Sequence, residues 1–183
     1  MKPLLILSIV CSLFLAACNN GNNKEKEQEN IAAAEKELFG NQNAASFDSK
    51  KAESLAQSYE QYASNYSDDP KAPEYLFKAG EVLRSAHQFD AAIDNYKKIY
   101  EKYPNFNKTP QSLFLIGFTY ENDLKNITEA QKYYELFLQK YPNHEMADDA
   151  KFLLQNLGKS PEDIIKDFMH NDSTKQVLAT PAS

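Results

Sequence analysis

Two stretches of the chain end in nearly the same five residues, Glu101-Lys-Tyr-Pro-Asn105 and Gln139-Lys-Tyr-Pro-Asn143. Working outward from them, the spacing matches as well. Leu76, Ala79, Gly80 and Leu83 stand against Leu113, Ile116, Gly117 and Tyr120, then Ala92 and Tyr96 against Ala130 and Tyr134, then Pro104 against Pro142. The glycines lie 37 residues apart and the prolines 38. A period of that size marks a stack of helical hairpins, each burying its apolar face against the next. From Phe89, apolar side chains recur at Ile93, Tyr96, Tyr100 and Tyr103, with Ala92 and Ile99 widening the stripe. That is helical spacing with two buried flanks. Gly80 and Gly117 allow close approach where the two helices of a hairpin cross, Ala92 and Ala130 are the small partners across that crossing, and Pro104 and Pro142 stop the second helix.

These positions resemble the tetratricopeptide repeat, with Leu76 and Leu113 in place of its tryptophan and a longer period. The resemblance implies an all-α, tetratricopeptide-like helical-hairpin solenoid of about eight helices. Clear repeats span about 73–106 and 110–144 within a domain over 31–170. A degenerate hairpin precedes them, with a first helix over Ile31–Phe39, a loop over Gly40–Ala45, and a second helix carrying Ala52, Leu55, Tyr59, Tyr62 and Tyr66. Another follows, carrying Ala147, Ala150, Leu153, Leu154 and Leu157. There Ser160 at the N-cap and Pro161 behind it start a last helix to about Met169. Residues 171–183 lack periodicity and read as a loose tail.

The N-terminus carries a different message. Lys2 precedes an uncharged apolar run from Leu4 to Ala17, too short to span a bilayer but suited to a signal peptide. Leu15-Ala16-Ala17-Cys18 resembles the lipobox of bacterial lipoproteins. That resemblance implies removal of residues 1–17, acylation (palmitate among the chains) of Cys18, and attachment to a membrane through those chains. The polar stretch over residues 19–30, together with Cys18, reads as a flexible tether. Asn19, where an inner-membrane retention signal has Asp, implies the outer membrane, facing the periplasm.

Composition excludes several functions. The chain has 183 residues, a formal net charge of −6, 5 glycines and no tryptophan. Arg84 is the sole arginine, so no basic patch for nucleic acid is expected. Neither a GxGxxG nor a GxxxxGK[ST] loop occurs, the three histidines are far apart, and no cofactor or metal is expected. The acid pairs Asp68-Asp69 and Asp148-Asp149 fall at predicted helix starts, where carboxylates favour the helix dipole. His87 falls in the turn between two paired helices. A non-enzyme is expected.

In tetratricopeptide arrays the first helices of successive hairpins line a concave groove. Carried onto this sequence, the groove positions are Glu74, Phe77, Glu81 and Arg84, then Gln111, Phe114, Phe118 and Glu121. Phe77, Phe114 and Phe118 would give an apolar floor rimmed by charge; equally, in so aromatic an array, they would serve as ordinary core. The segments Pro73–Gly80 and Tyr141–Leu154 are similar to units of two envelope families, the outer-membrane β-barrel assembly lipoproteins and the periplasmic partner of the Tol–Pal system. The resemblance implies an envelope-anchored scaffold that binds other envelope proteins, in outer-membrane protein assembly, in Tol–Pal-type maintenance and division, or as an accessory lipoprotein of a nutrient-uptake or enzyme complex.

Overall fold

A computed structural model describes the backbone of residues 23–40 and 47–178, with side chains to His170. Cys18, the residues before it and the loop over 41–46 lie outside the described residues. Among those described there are eight helices and no strand: α1 (23–39), α2 (Ser49–Asn65), α3 (Lys71–Ser85), α4 (Phe89–Lys102), α5 (Thr109–Asn122), α6 (Ile127–Lys140), α7 (Ala147–Asn156) and α8 (Pro161–Leu178). None of them is long and apolar enough to cross a membrane. The fold is the expected all-α array of tetratricopeptide-like hairpins. The chain clusters into two compact units, one ending at Ser112 and the other beginning at Leu113.

The repeat is written most plainly in its junctions. The second helix of a hairpin ends three times on a tyrosine in nearly the same backbone conformation: Tyr66 (φ −132, ψ 54), Tyr103 (φ −127, ψ 60) and Tyr141 (φ −132, ψ 55). Each tyrosine donates its N–H four residues back, to Tyr62, Ile99 and Phe137. Each then accepts from the residue three ahead, Asp69, Phe106 and His144, which in turn accepts from Ala72, Thr109 and Ala147. The turn therefore satisfies backbone groups at the end of one helix and the start of the next, helped by Asp69 Oδ1 accepting the Lys71 N–H and His144 Nδ1 accepting the Met146 N–H. Thr109 adds a bond from its hydroxyl to the Tyr103 carbonyl at 2.6 Å.

Turns inside the two central hairpins are tighter and require a left-handed residue. His87 (φ 61) and Lys125 (φ 53) occupy that conformation. Gln88 N–H closes onto the Leu83 carbonyl at 2.8 Å, and Asn126 N–H onto that of Tyr120 at 2.7 Å. His87 is exposed, as the sequence implied, with its ring edge-on to Phe89 at 5.5 Å.

Packing at the crossings is set by glycine against tyrosine. A β-carbon on Gly80 would lie 2.4 Å from the Tyr96 ring, and one on Gly117 2.9 Å from that of Tyr134. Both tyrosines are fully buried, as are Ala92 and Ala130. The glycines thus make room for a ring, and the alanines complete the same layer. Pro104 and Pro142 stand two residues beyond the last helical residues, Lys102 and Lys140.

Both ends differ from expectation. The sequence implies a tether over 18–30, yet residues 23–30 form the first two turns of α1, and the expected start at Ile31 is its middle. The sequence Asn-Lys-Glu-Lys-Glu-Gln-Glu-Asn has strong helix formers but no apolar stripe, and polar contacts dock it. Lys24 pairs with Asp69 at 2.9 Å, Glu27 accepts from Asn65 at 3.1 Å, and Gln28 donates to the Tyr62 hydroxyl. Ile31 then seals the interface, 2% exposed. At the other end α8 runs to Leu178, so the first eight residues of the expected loose tail are helical. Ile165, Phe168 and Met169 of α8 are exposed.

A cleft between the first helices of the first two hairpins

The expected groove residues fall in both units. In the first, Phe77 is 2% exposed, its ring 5.9 Å from that of Tyr96 and 4.6 Å from the Lys108 ammonium. Glu74 holds Lys108 at 3.0 Å. Arg84 is half-buried. In the second unit, Phe114 is 6% exposed and sits 5.7 Å from both Tyr134 and Phe137. Phe118, half-buried, stacks on Phe114 at 6.3 Å, and Glu121 accepts the Tyr134 hydroxyl at 2.7 Å. Gln111 is half-buried. Of the two readings of the phenylalanines, Phe77 and Phe114 follow the core one. Phe77 packs on Tyr96 of α4 and Phe114 on Tyr134 and Phe137 of α6, so the expected apolar floor is not presented by them.

What the first unit does present is a cleft of about 720 Å³, lined from α1 by Ala32, Glu35, Lys36 and Phe39, from the following segment by Gly40 and Phe47, from α2 by Tyr59, and from α3 by Lys78, Glu81, Val82 and Ser85. The volume is that of a ligand or peptide side-chain site. Its walls are the first helices of consecutive hairpins, laid side by side. Polar side chains join them: Lys71 donates to Gln28 at 2.8 Å, and Lys78 pairs with Glu35 at 2.7 Å.

The base of the cleft is a hydrogen-bonded group. Tyr59, 1% exposed, donates its hydroxyl to Glu35 at 2.7 Å, and the Lys78 ammonium lies 5.9 Å and 5.8 Å from the Tyr59 and Tyr75 ring centres. Burial works against ionisation of Glu35, but the hydrogen bonds from Lys78 and Tyr59 outweigh it and hold the carboxyl below its ordinary value. Burial, reinforced by that carboxylate, pushes the Tyr59 hydroxyl far up. Both groups are therefore fixed in charge at neutral pH and orient one another without being poised for proton transfer.

Glu81 differs. Its side chain is exposed at the cleft wall with no direct hydrogen bond or ion pair among the described residues, and desolvation there, with Glu74 adding to it, pushes its carboxyl up against the pull of the Lys108 and Lys78 ammoniums. At the mouth, Phe39 is 55% and Phe47 46% exposed. The arrangement offers apolar anchors, a fixed polar base and one uncommitted carboxylate, which is equipment for recognition.

Glu81 alone was singled out in the sequence among the residues of this cleft. The others escaped because groove positions were carried onto the two clear repeats and not onto the degenerate first hairpin. A signal was present: Phe39 and Phe47 flank a loop and belong to no apolar stripe, so they had no core to enter.

The acid pairs behave as helix-start residues. Asp69 accepts the Lys71 N–H at 2.8 Å, and Asp148 in the first turn of α7 pairs with Lys151 at 3.0 Å. No group of three His, Cys, Asp or Glu capable of holding a metal occurs among the described residues.

A sequence model of the tetratricopeptide repeat matches residues 74–105 and 111–144, which are α3–α4 and α5–α6 with their following turns. The comparison with curated proteins returned no match. The chain therefore carries two segments similar to the tetratricopeptide repeat at the centre of an all-α hairpin array, with the same junction geometry repeated before them at Tyr66; such repeats generally serve as protein-interaction scaffolds.

Proposed function

We propose that this protein is a non-catalytic, lipid-anchored interaction scaffold of a bacterial cell envelope, holding a segment of a partner protein in the cleft between α1 and α3. The observation that carries the reading is that cleft: about 720 Å³, walled by the first helices of adjacent hairpins, with Phe39 and Phe47 exposed at its mouth. Apolar side chains held open beside a fixed polar base are what a docking surface requires. Anchoring rests on the sequence: the apolar run over residues 4–17 and the lipobox-like ending at Cys18 favour acyl attachment, and Asn19 favours the periplasmic face of the outer membrane. Support of outer-membrane protein assembly rests on the likeness of the repeats to barrel-assembly lipoproteins.

The test is affinity capture from detergent-solubilised native membranes, comparing wild type with the Phe39→Ser, Phe47→Ser double variant. Both residues are exposed, so the variant keeps its helicity. A barrel-assembly component held by wild type and lost in the variant is the expected result. Capture of a Tol–Pal component in its place would reassign the pathway. Partners that survive the substitution would move the contact away from the cleft. Mass spectrometry of the same material reads the anchor directly, since an unacylated Cys18 contradicts it.

A further inference from the structure

The charges on the cleft are unequal in what they already do. Lys78 is committed to Glu35 at 2.7 Å and rests against two tyrosine rings. Lys36 is exposed in the last turn of α1, where the helix carbonyls favour a cation. Glu81 has neither arrangement. It lies toward the C-terminal end of α3, where the helix field disfavours an anion, with Glu74 nearby and only the longer-range attraction of Lys108 and Lys78, both already paired elsewhere. Its carboxyl is pushed up by desolvation at the cleft wall.

Its neighbourhood selects what it suits. Val82 follows it on α3, and the exposed rings of Phe39 and Phe47 stand across the cleft. Aromatic rings beside a carboxylate attract an ammonium or guanidinium through both groups and pack the apolar stem that carries it. The chain as a whole, at −6, draws a basic segment toward it.

Building on the scaffold reading above, we propose that the cleft between α1 and α3 is specific for a partner segment in which a lysine or arginine is flanked by bulky apolar side chains, with Glu81 receiving the cation and Phe39 and Phe47 the apolar neighbours. The pair made with Glu81 is a charge-assisted hydrogen bond that the bound segment itself would cover from water, strong enough to discriminate between otherwise equal peptides.

The test uses the full chain and three acetylated, amidated peptides, Gly-Ser-Phe-Leu-Lys-Leu-Phe-Ser-Gly and its versions with Gln or Glu at the central position, titrated by fluorescence anisotropy. The lysine peptide is expected to bind about tenfold more tightly than the glutamine peptide, and the glutamate peptide more weakly still. In Glu81→Gln the lysine preference disappears, and in Glu81→Lys the glutamate peptide becomes the preferred one. Because the peptide series is read on wild type, the test does not depend on either variant folding.

Equal affinity for all three peptides, lost in Phe39→Ser, Phe47→Ser, would overturn the cation specificity and leave the scaffold reading standing. Binding of none of them, or binding indifferent to the phenylalanines, would overturn both. Concentration-dependent self-association abolished by Lys166→Glu would identify the occupant as α8 of a second copy, where Lys166 lies among the exposed Ile165, Phe168 and Met169, which upholds the cation specificity and overturns the reading of a different partner protein.

Discussion

The hairpin of α1 and α2 and the hairpin of α5 and α6 share one internal bond. In each, a fully buried tyrosine of the second helix donates to a glutamate of the first, Tyr59 to Glu35 and Tyr134 to Glu121, both at 2.7 Å. Around that bond they diverge. Tyr134 is enclosed by rings, with Phe114 at 5.7 Å and Phe114 in turn 5.7 Å from Phe137. Glu35 is bridged instead by Lys78 of the next hairpin, and the space beyond it is open. The same hairpin plan therefore closes where rings fill the layer and stays accessible where a salt bridge joins neighbouring first helices. The cleft proposed for recognition lies in the less completely packed of the two.

The glycine–tyrosine crossings give the largest expected effects. Gly80→Ala pushes a methyl to 2.4 Å from the Tyr96 ring, against 2.9 Å for Gly117→Ala and Tyr134. Overpacking predicts a loss of about 2–3 kcal/mol for the first and about 1–2 kcal/mol for the second in urea unfolding. Equal small losses would show that the tyrosines shift freely and that the crossings are not the fixed points of the array.

Next come the tyrosine hydroxyls. Tyr134→Phe leaves Glu121 without its donor and is expected to cost about 1–2 kcal/mol. Tyr59→Phe leaves Glu35 still held by Lys78, so its loss is expected to be smaller, by at least half. A larger loss at Tyr59 would reverse the contrast drawn between the closed hairpin and the open one.

Acid titration sharpens the comparison within the cleft. Glu35 is held below its ordinary value when folded, so its contribution is present at neutral pH and is lost as pH falls through the folded value. Glu81 is raised, so its sign is opposite: the folded state is favoured while the carboxyl is protonated, and that advantage is lost as pH rises through the folded value. Thermal melts at neutral pH should therefore show Glu35→Gln lowered and Glu81→Gln slightly raised relative to wild type, with both differences shrinking in acid. A Glu81→Gln variant less stable than wild type at neutral pH would mean that the carboxylate supports the fold after all.

The smallest effects belong to the turns. His87→Gly and Lys125→Gly relieve a left-handed backbone at φ 61 and φ 53 and should each raise stability by up to about 1 kcal/mol, less the entropy that glycine adds to the unfolded chain. Differential scanning calorimetry on the two variants would show whether the turns are equivalent.

Much of this was readable before any coordinates. Gly80, Tyr96, Gly117, Tyr134 and the Tyr-Pro-Asn junctions announce themselves because buried contacts repeat at a fixed period. The start of α1 did not, because Lys24, Glu27 and Gln28 are docked by polar bonds that leave no apolar pattern. Phe77 and Phe114 were placed on the correct helices, but spacing within one helix does not reveal whether a flank meets a neighbour or solvent. The cleft was hidden for a further reason: Glu35 and Lys78 meet across 43 residues of sequence, and the hairpin that supplies Glu35, Phe39 and Phe47 is the one least like its siblings.

The most direct test places a photo-crosslinking amino acid in living cells at Phe39, on the cleft, and at Gln131, an exposed position of α6 in the second unit. The account predicts a discrete crosslink to an envelope protein from Phe39, mapped to a segment bearing a lysine or arginine among apolar residues and lost when Glu81 is changed to Lys, with none from Gln131. A crosslink from Gln131 with none from Phe39 would contradict it.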